Sequence, residues 1–477
     1  MGRNLYLTTT LPYVNADPHI GFALEMVQAD IIARYRKLLG DDVFFNTGTD
    51  EHGLKIFRKA KEEGKDPQAY TDGYAAKFRS LKEKLELDDT LHFIRTTDPH
   101  HVAAAQELWR RCFAKGDIYK KTYRGLYCVG DEAFIKESDL INGRCPNHPN
   151  MDLVEIEEEN YFFKLKQYES YLLEYLGESG VIVPEWRRLE AIQFVQRGLE
   201  DFSISRVKEK MPWGVPVPGD ETQVMYVWFD ALTSYISTLG WPDDTEGNFK
   251  KYWENGDTLQ LAGKDQVRFQ SIMWQAMLKS AGLPATKQVF YHGFITSGGQ
   301  KMSKSIGNVI DPMSIVDEYG ADALRYYLAR HMHPFEDSDF TMEKFKESYN
   351  ADLANGLGNL VARVMQLASM NLTAPVTVEF VPYPEEFVGM LGRYEFNRAL
   401  EYVWGKIQAL DQKINQTEPF KIVKSDPEKG KGIITELVRE LAFIDEMLEP
   451  LLPRTSGAII QAIVANKKPE NLFPRKE

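Results

Sequence analysis

The first fifty residues constrain the fold more than any other stretch of this chain. Residues 4–10 read as a strand, which Pro12 closes. From His19 to about Leu39 the apolar residues Ile20, Leu24, Val27, Ile31, Ala33 and Leu38 recur at mostly helical spacing, and Gly40 supplies the stop. Asp42–Asn46 is a second short strand, followed by Thr47-Gly48-Thr49-Asp50-Glu51-His52-Gly53. Strand, helix and strand at this pitch predict a βαβ unit, and the loops after such strands are where open α/β sheets bind ligands.

Further along, Tyr226–Leu232, Leu259–Gly263 and Val289–Phe294 are again strand-like runs alternating with helical ones. Between them and the first unit, residues 118–222 change texture to short alternating segments, many turns and two cysteine-bearing knuckles. The pattern is one nucleotide-binding fold interrupted by an insertion of about a hundred residues, the size of one small domain. After Lys344 the chain reads as helices over 345–371, roughly 388–414 and 430–464, with Thr373–Glu386 as a Pro-bearing loop. The last fifteen residues are polar and proline-bearing and read as a mobile tail.

Composition narrows the class. With 43% apolar and 27% charged residues, the balance is that of an ordinary soluble protein. No stretch approaches the roughly 20 apolar residues of a membrane span, so no membrane partner is expected. The N-terminus shows no signal-peptide hydrophobic region, and three cysteines in 477 residues argue for a reducing compartment, so a cytoplasmic location is expected. A net charge of −13 is a mild argument against nucleic acid, but a basic track on one face suffices for a transient RNA partner.

Two motifs carry chemistry. Asp17-Pro18-His19-Ile20-Gly21-Phe22 lies between the first strand and the long helix. Pro18 suits a helix entrance, where free N–H groups favour anions. Gly21 removes a side chain where something flat could lie, and His19 can donate to a phosphate. The alternative is an ordinary Pro-started helix with a surface histidine. The second motif, Gly298-Gly299-Gln300-Lys301-Met302-Ser303-Lys304-Ser305, is a glycine-flanked loop with two lysines three apart. Compact cations there suit moving phosphates and the charge on a departing pyrophosphate.

Together, in this order, the motifs resemble the His-Ile-Gly-His and Lys-Met-Ser-Lys-Ser signatures of class I aminoacyl-tRNA synthetases. Phe22 replaces the second histidine of the first. The resemblance implies a split Rossmann-type α/β catalytic domain with a small inserted connective domain, followed by an all-α anticodon-binding domain. On that basis residues 1–117 and 223–311 are the two catalytic halves, 118–222 the insertion, 312–344 a junction and 345–477 the helical domain. It also implies Mg-ATP as substrate, His19, Lys301 and Lys304 as catalytic groups, and Gly21, Gly263 and Asp265 beside His19 and Lys304 in ATP binding.

Further stretches are similar to the methionyl branch of that family. Leu11-Pro12-Tyr13-Val14-Asn15 and Thr47–Gly53 precede and follow the first signature as in that branch, and Asp50 would hold a substrate ammonium. Trp228, Ala231, Tyr235 and Trp274, with Leu11 and Tyr13, would wall a thioether, for which aromatic rings suit the polarizable sulfur. Gln270 stands where the branch usually has histidine. For any one aromatic, plain core packing is the alternative. The relatives for isoleucine, valine and leucine carry a far larger insertion. The implied substrates are methionine, ATP and a methionine tRNA, and the rivals are another amino acid or an RNA-binding paralogue without activity.

In the insertion, the branch often holds structural zinc through paired cysteine knuckles. Here Cys145 and His148 form one intact pair, while the other reads Cys128-Val129-Gly130-Asp131. Either Asp131 completes a zinc site or the knuckle keeps its shape by packing without metal. In the helical part, Asn359 and Arg363 share one helix face and resemble base-reading residues, and Phe420 matches a position that often stacks on an anticodon base. The alternative is that Asn359 and Arg363 cap or brace helices. With no further module after residue 477, a monomer is expected.

Overall fold

The computed structural model describes residues 2–131, 133–135, 137–302, 307–379 and 381–476. Among the described residues no helix is long and apolar enough to cross a membrane. The chain forms two compact units. The first takes the residues up to Asp17, Asp41–Ser80 and Thr90–Tyr291; the second takes Pro18–Gly40, Leu81–Asp89 and the chain from His292 on.

The first unit is built on a six-stranded sheet. Its strands are β1 (Asn4–Thr8), β2 (Asp42–Thr49), β3 (His92–Arg95), β4 (Ile182–Val183), β5 (Asp257–Gly263) and β6 (Gln288–His292), in the order β3-β2-β1-β5-β6-β4. β1 pairs in parallel with β2 on one side and with β5 on the other. Leu5, Tyr6 and Leu7 of β1 and Val43, Phe44 and Phe45 of β2 are all buried, the near-continuous apolar run that a parallel sheet covered on both faces requires. Large rings fill the space beside it: Tyr6 meets Trp253 at 5.8 Å, and Trp253 meets Trp274 edge-on at 6.2 Å. β1 ends two residues before the predicted limit, and β2 continues three residues beyond it, to Thr49.

The inserted segment centres on an antiparallel hairpin, Ile118–Cys128 against Val154–Phe163, with register from Ile118↔Phe163 to Tyr127↔Val154. Ala133–Ile135 and Phe202–Ser203 add strands at its two edges. One predicted strand is a helix: Val227–Leu232 turns helical straight after the strand Asp220–Met225, with Tyr226 still extended at its N-cap. Val227, Phe229, Ala231 and Leu232 are buried all round, so the run carries no period that could separate a strand from a helix turn.

In the second unit the helix Ile20–Leu38 matches its prediction to within a residue. The buried Arg325 guanidinium pairs with Asp30 of that helix at 2.8 Å and donates to the Leu451 carbonyl at 3.0 Å. Asp30 also accepts from Arg34 at 2.8 Å and from the Asp88 N–H at 2.6 Å, so one carboxylate gathers three stretches of chain. The C-terminal helices are more broken than the periodicity predicts. The run at 388–414 is Glu385–Gly392 and Phe396–Thr417, parted where Tyr394 turns left-handed at φ 61°. The run at 430–464 is Pro427–Leu448 and Pro453–Ala465, because Pro450 and Pro453 cannot continue a helix. A short helix, Pro419–Ser425, was not anticipated. The predicted mobile tail is pinned instead: Phe473 is buried, Tyr349 donates to the Pro474 carbonyl at 2.8 Å, and Asn350 bonds Lys476 through both backbone groups.

Gly48 of β2 lies opposite Ile94 of β3, and a Cβ there would sit 2.1 Å from the Ile94 carbonyl oxygen. Gly48→Ala should therefore destabilise the first unit by about 1–3 kcal/mol, the range of overpacked substitutions. A urea midpoint equal to that of the parent would show that the two strands can part without cost.

Candidate active site

The strand order of the first unit reverses between β1 and β5, and open parallel sheets bind ligands at the carboxyl ends beside such a reversal. Three predicted segments arrive there. The chain leaving β1 carries Leu11 and Tyr13, and Tyr13 bridges to Asp50 just past β2. The Asp50 N–H donates to the Pro12 carbonyl at 3.0 Å, and the Val14 N–H donates to the Asp50 carbonyl at 3.2 Å. Beyond β5, Gly263 gives way to the single turn Lys264–Gln266, on which Asp265 is exposed and accepts from Gln266 at 2.9 Å.

Asp50 is buried, and its two successors hold it in place. The fully buried Glu51 carboxylate accepts from Thr49 at 2.6 Å, Thr97 at 2.5 Å and Arg95 Nε and Nη2 at 2.7 and 2.8 Å. Its carbonyl accepts from the Trp213 indole at 2.6 Å. His52 Nδ1 lies 2.6 Å from Asp230, and His101 Nε2 lies 2.8 Å from the other Asp230 oxygen. Burial raises the pKa of the Asp230 carboxylate, but the imidazoles on either side outweigh this and hold it down at about 2.

The predicted aromatic residues Trp228, Tyr235 and Trp274 lie on three short helices, Val227–Leu232, Ser234–Ser237 and Trp274–Ala281. Trp274 is fully buried, and its ring meets Tyr235 at 6.0 Å. Gln270, on the π-helical turn Phe269–Met273, donates to the Tyr235 hydroxyl at 2.6 Å. Trp228 stands half-buried on the helix Val227–Leu232, as does the buried Ala231, and stacks on Phe269 at 3.9 Å. Gln270 Oε1 and the Trp274 indole N–H are buried with no protein hydrogen-bond partner among the described residues. Glu51, His101, Asp230 and Phe269 were not foreseen. The available signal was an aspartate embedded in the apolar run Val227–Leu232.

In the second unit the two signatures lie together. His19 caps the helix Ile20–Leu38, and its Nδ1 accepts from the Gly21 N–H at 3.1 Å, which places the proton of the neutral ring on Nε2. A Cβ at Gly21 would come within 3.0 Å of that ring, so the glycine lets the cap form. The residue reaches solvent, yet protein packs closely enough around the imidazole that desolvation lowers its pKa. The Ile20 N–H donates to the Ile310 carbonyl at 3.1 Å, and the Met302 methyl lies 4.0 Å from the Gly21 Cβ position. Lys301 pairs with Thr296 in a hairpin turned by Gly298 and Gly299, both at positive φ. The Asp339 carboxylate fixes that hairpin, accepting from the Gly299 N–H at 2.7 Å and from Thr296 at 2.9 Å. Lys304 lies outside the described residues. Farther along, Asn359 and Phe420 are exposed, whereas Arg363 pairs with Asp411 and donates to Asn415 at 2.8 Å. That is the bracing arrangement.

The knuckle residues do converge. Ligand atoms of Cys128, Asp131, Cys145 and His148 all lie within 4.8 Å of one another. His148 Nδ1 is 3.7 Å from the Cys128 sulfur and 3.9 Å from that of Cys145. A tetrahedral ion with Zn–S of about 2.3 Å and Zn–N of about 2.0 Å spans such separations, so the donor set fits zinc. Gly130 makes the approach feasible, since a Cβ there would lie 2.4 Å from the His148 ring.

Comparison with known proteins agrees with this geometry. The family model described as "tRNA synthetases class I (M)" matches residues 5–152 and 149–365. The methionine–tRNA ligase of Nostoc sp. is 41% identical over 97% of this chain and 90% of its own length. That of Thermotoga maritima is 39% identical over 97% and 76%. The structure of Mycobacterium tuberculosis methionyl-tRNA synthetase bound by methionyl-adenylate superposes with a TM-score of 0.88 at 34% identity, covering 100% of this chain and 99% of that one.

The depressed Asp230 pKa has a thermodynamic consequence. A carboxylate titrating lower in the folded than in the unfolded chain stabilises the fold at every pH above about 4, and loses that contribution as the pH falls toward 2. The stability gap between the parent and Asp230→Asn should shrink by about 2 kcal/mol from pH 5 to pH 2. Urea titrations along that range decide it, and a constant gap would mean the imidazoles do not hold the charge.

Proposed function

The chain belongs to the methionyl family of class I tRNA synthetases, and from that membership we propose that it activates methionine with Mg-ATP and esterifies it to the 3′-terminal adenosine of a methionine tRNA. The observation that carries the reading is the approach of the two signatures, some 280 residues apart in sequence, with the Met302 methyl 4.0 Å from the Gly21 Cβ position in one compact unit.

In the first step the methionine carboxylate attacks the α-phosphorus and pyrophosphate departs. In the second, a ribose hydroxyl of the tRNA takes the methionyl group and AMP leaves. The Asp50 carboxylate receives the substrate ammonium, and Leu11, Tyr13, Trp228, Ala231, Tyr235, Gln270 and Trp274 surround the side chain. Asp265 accepts from ribose hydroxyls at the turn after Gly263. His19 donates through Nε2 to the phosphates over the backbone at Gly21. Lys301 and Lys304 neutralise the leaving pyrophosphate, so catalysis is mainly electrostatic and positional. Asn359, Arg363 and Phe420 meet the anticodon, for which Arg363 exchanges its protein partners for a base.

Cys128, Asp131, Cys145 and His148 hold a structural zinc that orders the hairpin loop, and no chemical step runs through it. Purified protein should carry about one zinc per chain, and Asp131→Ala should lower that content; metal-free protein of unchanged stability would show a knuckle held by packing alone.

Methionine-dependent exchange of labelled pyrophosphate into ATP tests the activation step. Asp50→Ala should raise the methionine KM by about 10–100-fold, the worth of a hydrogen bond to a charged group. Lys304→Ala should slow exchange by about 100-fold or more with methionine binding retained. Exchange supported by a different amino acid would overturn the specificity, and none with any amino acid would overturn the activity.

A further inference from the structure

The helix Val227–Leu232 places Asp230 between Trp228 and Ala231, and its side chain points away from solvent entirely. One oxygen meets His52 Nδ1 at 2.6 Å and the other meets His101 Nε2 at 2.8 Å. The far nitrogen of His101 lies 2.9 Å from the Ser237 hydroxyl. His52 is two residues past Asp50, and Ser237 is two residues past Tyr235. One buried series of hydrogen bonds thus begins beside the proposed ammonium acceptor and ends beside the proposed thioether wall. Its central member accepts from both directions, which an ionised carboxylate does with short, directional bonds.

We infer that Asp230 is a positioning residue that sets the distance between the Asp50 carboxylate and the Tyr235–Trp274 wall, and with it the length of amino-acid side chain the enzyme accepts. The inference rests on the reading in which those residues hold methionine. Asp230 touches His52 at one end of the series and is joined to Ser237 at the other through His101. His52 bonds Asp230 and lies against the Trp213 ring at 5.5 Å, and Ser237 meets the series at His101. Asn at 230 has nearly the same volume but one acceptor and one donor, so one imidazole must change its tautomer and both bonds lose their charge. The helix then settles at a slightly different height over His52 and the two ends of the pocket shift apart.

The test is pyrophosphate exchange by the full chain, run with methionine and with ethionine, which is one methylene longer. For Asp230→Asn the methionine KM should rise about tenfold, the methionine-over-ethionine ratio of kcat/KM should fall about tenfold, and the ATP KM should stay within about twofold. A residue that merely supports the fold would lower the active fraction or raise both KM values together, leaving the ratio intact, and that result overturns the inference. Ser237→Ala removes one oxygen at the far end and covers the case in which Asp230→Asn does not fold. It should raise the methionine KM about threefold with the ATP KM unchanged, and an unchanged methionine KM overturns the inference. Parent protein with no methionine-dependent exchange overturns this inference together with the reading it rests on. An active parent with an unaltered ratio in Asp230→Asn overturns this inference alone.

Discussion

Parallel pairing of β1 with both β2 and β5 is the constraint on which the first unit depends. Because the chain departs from β1 toward one edge of the sheet and returns to its other side some 250 residues later, the segments after β1, β2 and β5 all emerge at the same end. Tyr13 and Asp50 come together there through backbone bonds, and the turn bearing Asp265 follows β5. The residues of that end can vary without moving the frame, since the frame is made by peptide groups and by buried side chains such as Tyr6, Phe45 and Trp253.

Each unit also buries carboxylates where most proteins bury hydrocarbon. Glu51 and Asp230 in the first and Asp30 in the second are almost wholly shielded from water, and each is saturated by cations or donors. Such groups add little net stability, because desolvation offsets most of the attraction. Removing one partner is another matter, leaving an uncompensated charge at a cost of about 3–5 kcal/mol. What they supply is uniqueness of position. Hydrocarbon packing tolerates sliding of a few tenths of an ångström, whereas a carboxylate with four directed donors, like that of Glu51, does not.

The elements legible in the sequence were those with a strong local signal. The period of Ile20–Leu38, the Pro and Gly at its ends and the apolar runs placed β1, β2, β5, β6 and the first helix, whereas the short β3 and β4 went unread and the lysine loop opens as a hairpin. Periodicity failed where burial was complete or where the chain turned without a breaker. Val227–Leu232 is apolar on every side and reads equally as strand or helix, and Tyr394 reverses the chain without glycine. Asp230 and His101 are ordinary residues in sequence, 129 positions apart, and only the fold makes them partners. Arg363 and Asp411 illustrate the same blindness, since helix periodicity gives the face of Arg363 but not its neighbour. The tail after Ala465 looked featureless because one aromatic, Phe473, does its anchoring.

The His19 cap fixes more than a helix end. A ring whose Nδ1 is committed to a backbone N–H, and whose proton affinity is lowered by its surroundings, stays uncharged through the neutral range. It therefore behaves as a dipole of set orientation rather than as a switchable cation. With phenylalanine at position 22, the signature itself supplies no second imidazole to take up a proton. On the proposed reaction, neutralising the triphosphate is left to magnesium and to the ammonium groups of Lys301 and Lys304. The imidazole's part in the first step of such an enzyme would then be one of orientation, with the charge supplied by other groups.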